Sequence, residues 1–132
     1  MHILIFFFRD GNNAFYEEKI ILSFLFFHSL GGLLKVRREN QFQAHLIKQI
    51  ERRLPGVVVL KNDPNYIQGI PDLLILFGQK WAMLECKRGQ DEPHQPNQDY
   101  YISLFSNMGF SSFIFPENEK LVLDEMTCYF MN

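Results

Sequence analysis

The stretch "LLILFGQKWAMLEC", residues 73–86, constrains this chain more than any other. Two runs of apolar, strand-forming residues are joined by a single Gly-Gln pair. A Gly-X pair between strands suits a two-residue type II′ turn in which Gly78 takes a positive φ. Such a turn sets the register: Phe77 faces Lys80 and, stepping outward, Asp72 faces Glu85. Alternation then puts Lys87 on the same face as Glu85, a face continued by Leu74, Leu76, Trp81 and Met83. Leu73, Ile75, Phe77, Ala82, Leu84 and Cys86 fill the other face. With both faces apolar, the two strands are expected at the centre of a sheet covered on both sides.

Asp72, Glu85 and Lys87 therefore converge at one end of one face. Like charges set across a ladder repel, and one ammonium offsets only one carboxylate. A divalent cation resolves the conflict. Two carboxylates, a backbone carbonyl and several waters suit Mg²⁺, which keeps part of its hydration shell. Such an ion holds a phosphate oxygen and activates a bound water, and Lys87 is placed to orient that water or to stabilise the developing charge. The chemistry this arrangement points to is phosphodiester hydrolysis.

The rest of the chain is consistent with one domain around that hairpin. Its 132 residues are 47% hydrophobic and 21% charged, enough to bury a core. The formal net charge of -2 conceals a division. Residues 35–89 carry ten Lys/Arg against five acids, whereas residues 90–132 carry one Lys against seven acids. A basic middle attracts a polyanion. Cys86 and Cys128 have no metal-type spacing and read as free thiols, and the four histidines are scattered.

Asn40–Arg53 reads as a helix capped by Asn40, with Gln43 three residues on and an apolar stripe of Phe42, Leu46, Ile47 and Ile50. If that helix starts a turn earlier, Glu39 falls on its inward face. "LPG" ends it and "VVVLK" (57–61) is a strand. Gln98–Met108 is a helix stopped at Gly109, "FSSFIF" (110–115) a strand, and a last helix follows Pro116. The expected order is α-β-β-β-α-β-α, an α/β (α+β) chain.

Residues 1–35 differ in kind and hold seven of the 14 Phe. The apolar run from Ile20 to Leu34 is shorter than the ~20 residues a membrane span needs. It follows acidic "YEEK", where a signal peptide would have a basic start. It reads as a helix packing on the domain or on a second copy, as a membrane-associated or export segment, or as a stretch upstream of a product that begins near Val36. The sequence leans to the last, with residues 36–132 as the functional domain.

"GIPD", followed 13 residues after Asp72 by "ECK", resembles the PD-(D/E)XK nuclease superfamily, and the VRR-NUC branch most closely. That branch includes small stand-alone phage and bacterial enzymes. "ENQFQAHLIKQIERRLPG" resembles its Glu-headed helix and "PNQDYYISLFSNMG" its Gln-headed one. The resemblance covers about residues 37–116 and implies a restriction-endonuclease-like mixed central sheet flanked by helices. By it, Asp72, Glu85 and the Cys86 carbonyl bind Mg²⁺, with Mn²⁺ able to substitute. Lys87 positions the nucleophilic water, Gln98 orders the network, and Glu39 acts through a water or a second metal. The Phe-rich leader matches nothing in the family, and Glu39 is placed by helix position alone.

Arg88, Lys61, Arg37 and Arg38 are the expected phosphate contacts, with no base-reading motif among them. Arg52 and Arg53 read better as complements to a helix dipole. The leading expectation is a metal-dependent, structure-selective DNA endonuclease working as a homodimer, in the manner of a four-way-junction resolvase, in the cytoplasm of a bacterial host. A single-strand, flap or nick nuclease is the nearest alternative, and a non-catalytic DNA-binding accessory protein belongs to a different class. No Gly-x-x-x-x-Gly-Lys loop is present, so no nucleotide cofactor is expected, nor is a membrane partner.

Overall fold

A computed structural model describes the backbone of residues 14–132 and the side chains of 25–34 and 38–132. The elements run α1 (Ala14–Arg53), β1 (Val58–Lys61), β2 (Leu73–Phe77), β3 (Lys80–Cys86), α2 (Gln98–Ser106), β4 (Phe110–Ile114) and α3 (Glu119–Met131). Chain contacts divide the protein into two units, Met1–Val36 and Arg37–Asn132. The second unit is a mixed α+β fold.

Its sheet has the order β1-β2-β3-β4. The first three strands are antiparallel neighbours, and β4 lies parallel to β3. A parallel neighbour requires a crossover, which α2 supplies. Gly78 takes φ +60° at the β2–β3 turn while Gln79 keeps a negative φ, as a type II′ turn requires. The pairing that follows is Phe77 with Lys80 and Leu73 with Leu84, so the next step outward sets Asp72 against Glu85.

One face of the sheet is sealed. Leu73, Ile75, Ala82, Leu84 and Ile114 are completely buried in one core with Leu46 and Ile50 of α1, Leu54 just beyond its end, and Val122, Leu123 and Met126 of α3. Phe77 meets Phe130 edge to face at 5.9 Å, and Lys80 Nζ donates to the Tyr129 carbonyl at 2.9 Å, tying the turn to the end of α3. Arg53–Asp124 and His45–Glu119 contacts link the two helices at their solvent edge.

The opposite face departs from the expectation of cover on both sides. α2 covers only the β3–β4 half, where Trp81 meets Phe105 edge to face at 5.9 Å and Gly109 admits the indole closely. Leu76 and its cross-strand partner Val58 stay exposed, as does Leu60 opposite Leu74. A single nine-residue helix is too short to roof four strands.

The expected cap at Asn40 is also corrected. α1 runs without interruption through this position, so Asn40 is an interior helical residue. No proline occurs before Pro55, and Gly31-Gly32 costs only about 1 kcal/mol per residue, too little to stop a long helix. In the first unit the helix leaves Leu25, Phe26, Phe27, Leu33 and Leu34 exposed. No described helix is long and apolar enough to cross a membrane.

Candidate functional site

The charged hairpin end is assembled by four segments. Asp72 is delivered by the loop from Asn62 to Pro71, and that loop is pinned. The Asn62 amide donates to the Asp72 carbonyl at 2.8 Å, and Asn62 Nδ2 donates to the Pro71 carbonyl at 2.7 Å. Across the hairpin, the Cys86 amide donates to Asp72 Oδ2 at 2.8 Å. Glu85 and Lys87 are both buried, at 4% exposure each.

Gln98, the first residue of α2, ties these groups together. Its Nε2 donates to Glu85 Oε1, while its Oε1 accepts from Lys87 Nζ at 2.6 Å and from the Gln95 amide at 2.7 Å. Lys87 Nζ lies 3.9 Å from Glu85 Oε1, a long ion pair, and also donates to the Pro93 carbonyl at 3.4 Å. The ammonium is thus fixed beside the carboxylates and does not neutralise both. Glu85 Oε2 is buried without a hydrogen-bond partner among the described residues.

Glu39, half-buried on α1, joins Asp72, Glu85 and Gln98 around a cavity of about 280 Å³, closed on another side by Pro64, Gln68, Gly69, Ile70 and Gln95. The electrostatics reflect the crowding. Burial, opposed by the Cys86 hydrogen bond and reinforced by Glu39, pushes the Asp72 carboxyl up to about 6. Burial and then the charge of Asp72 push Glu85 up to about 8. Two acids with raised affinity for protons, Glu85 buried with an unpartnered oxygen and Asp72 half-buried, have the donor set and charge to take a hard divalent cation in place of protons. No group of three or more His, Cys, Asp or Glu among the described residues is arranged as a metal cage, so an ion here would take two carboxylates and complete its shell with carbonyl oxygen and water. The Cys86 thiol is not a ligand: it points into the core and burial pushes its titration far up.

The basic residues gather less well. Arg88 is committed to Glu92, bonding through Nε at 3.2 Å and Nη2 at 3.0 Å while its amide takes the same carboxylate at 2.6 Å. In this structure the guanidinium of that expected phosphate contact is paired within its own loop. Lys61 is exposed at the end of β1, pairing with Leu73 and so alternating away from the Asp72 face. Arg38 is exposed on α1, and the Arg37 side chain lies outside the described residues.

Sequence reasoning missed Gly69. It holds φ +85°, and a Cβ there would stand 2.6 Å from the Pro96 carbonyl and 2.8 Å from Asn97 Cβ, the residue preceding Gln98. The glycine of Gly-x-Pro-Asp thus lets the Asp72 loop touch the start of α2. Gly69→Ala is expected to cost roughly 1–3 kcal/mol of stability and to displace Gln98, read as a lower denaturant midpoint.

Comparison with known proteins returns no matching family model, no similar curated protein and no similar solved structure.

Proposed function

We propose that this protein is a metal-dependent endonuclease that hydrolyses phosphodiester bonds in structured DNA, in the manner of the PD-(D/E)XK enzymes its motif resembles. The observation that carries this reading is the pair of half-buried Asp72 and buried Glu85, set across a tight hairpin beside a braced lysine, with one Glu85 carboxylate oxygen left without a partner. Proteins do not keep such a pair for stability, because each raised acid opposes folding at neutral pH.

A Mg²⁺ held by Asp72, Glu85 and the Cys86 carbonyl would supply charge neutralisation at the phosphate and ready a water for attack. The residues of the chain do the rest. Gln98 fixes both Glu85 and Lys87, so neither side chain searches rotamers when substrate arrives. The Lys87 ammonium, desolvated and aimed by two acceptors, orients the attacking water and stabilises charge on the phosphoryl oxygens. Glu39, which lines the same cavity, is placed to accept hydrogen bonds from water there. A homodimer with two such sites would allow symmetric cleavage of a branched substrate.

The test is cleavage of labelled four-way junction, flap, linear duplex and single-stranded DNA with Mg²⁺, Mn²⁺ or EDTA. The reading expects metal-dependent, EDTA-sensitive cutting with a preference for branched forms. DNA binding without cutting under any metal would replace it with a DNA-binding accessory role.

A further inference from the structure

Beside the carboxylates lies a second polar arrangement that the hydrolytic reading does not use. His94 belongs to the loop between β3 and α2. Its Nδ1 lies 2.6 Å from Asp99 Oδ1, on the first turn of α2. Its ring stacks on Phe113 of β4, with centroids 4.1 Å apart and planes within 19°. Phe113 is the cross-strand neighbour of Glu85, and Lys87 Nζ stands 5.8 Å from the centre of the same phenyl ring. The flanking residues touch the site directly, Pro93 through its carbonyl to Lys87 and Gln95 through its amide to Gln98. The imidazole is therefore held beside Phe113 on the β4 side of the carboxylates by one hydrogen bond and one stack, outside the residues that line the cavity but next to Gln95, which does line it.

Two anchors on a 39%-exposed side chain are more than a solvated loop histidine needs. A carboxylate on Nδ1 is an acceptor, so Nδ1 carries its hydrogen and Nε2 is the atom left to address a ligand. When the ring is protonated, Nε2–H is a charge-assisted donor. The charged groups around it are Asp99 from α2 and, beyond Phe113, Lys87 from β3; Glu92 on the same loop is occupied by Arg88. The basic residues expected to grip phosphate turn elsewhere, Arg88 to Glu92 and Lys61 to the other face of the sheet.

We propose that His94 and Asp99 form a phosphate-binding dyad beside the carboxylate site, in which Asp99 orients the imidazole and Nε2–H contacts a backbone phosphate next to the one being hydrolysed. This rests on the nuclease reading and adds a substrate contact to it. Asp99 is a positioning residue, since it acts only through the ring.

The test measures binding of labelled DNA in EDTA and steady-state cleavage in Mg²⁺, for the wild type, His94→Ala, His94→Lys and Asp99→Asn. Loss of one charge-assisted contact is expected to weaken binding and raise KM by about 10-fold in His94→Ala, with kcat nearly unchanged. The slope of log affinity against log salt should fall by about 1. His94→Lys should restore the salt slope, and Asp99→Asn should shift affinity in the same direction as His94→Ala by a smaller factor. A thermal midpoint unchanged in Asp99→Asn, which keeps the Phe113 stack, separates these effects from misfolding. Unchanged affinity and salt slope in both His94→Ala and Asp99→Asn overturn the dyad while leaving the nuclease reading intact, as does a fall in kcat alone. A wild type that neither binds nor cuts DNA removes both.

Discussion

Glu85→Gln is expected to lose metal-dependent cleavage by at least about 10³-fold, and Asp72→Ala to do the same, while both fold and still bind DNA in a salt-sensitive way. The size follows from what each carboxylate is asked to do. An ion gripped by two acids and a carbonyl loses half its anionic ligands when one acid is removed, and the hydrolytic water loses its activation with it. Glu85→Gln is the sharper probe because shape is kept. Gln98 Nε2 can still donate to the retained carbonyl oxygen, and Lys87 keeps its bonds to Gln98 and Pro93. A gel assay on the best DNA substrate reads the rate. A Glu85→Gln protein that cuts at near the wild-type rate removes this pair from the chemistry.

The same two residues give the second large effect. Without a divalent ion, these two acids should make the protein lose stability progressively as the pH rises from about 4 through about 8, with little further loss above that. Glu85 titrates at about 8 in the folded chain against an ordinary 4.5, and Asp72 at about 6 against 3.8. Between those values the folded state holds protons that an unfolded chain releases, so raising the pH favours unfolding through each folded value in turn. The combined loss is on the order of 3 kcal/mol, allowing for the coupling between the two acids. Mg²⁺ should reverse it above pH 7, adding about 2.7 kcal/mol at 100 times its dissociation constant. Glu85→Gln should be more stable than the wild type at pH 8 in EDTA and should respond little to Mg²⁺. Denaturant melts at pH 5, 7 and 8.5, with EDTA and with Mg²⁺, read all of this. A wild-type stability that rises with pH in EDTA would contradict it.

Sequence alone made the hairpin end legible for a local reason. A two-residue glycine turn leaves no freedom of register, so the facing of Asp72 and Glu85 followed from counting. Helical period placed Glu39 on an inward face, and the structure sets it on the cavity wall. The start of α2 at Gln98 was equally local. What escaped depends on distant partners. Asn40 has the chemistry of a cap, but whether it caps depends on the residues before it, and those continue the helix. Leu76, Val58 and Leu60 look like core residues in a one-dimensional pattern, yet only the reach of α2 decides whether that half of the sheet is covered. Arg88 reads as an expected phosphate contact, and its pairing with Glu92, four residues on, depends on how that loop folds back. The close approach of Gly69 to Pro96 and the stacking of His94 on Phe113 join segments 27 and 19 residues apart, which no local pattern records.

Shared cation binding by Asp72 and Glu85 is read by calorimetric titration of Mn²⁺ or Mg²⁺ into the metal-free protein at pH 7.5, with Glu85→Gln and Asp72→Asn alongside. The wild type should bind the ion with release of protons, since the acids that take it hold protons beforehand, and both variants should bind far more weakly. Equal binding by all three proteins, or no binding by the wild type even with DNA present, would contradict the claim that these two acids share a cation.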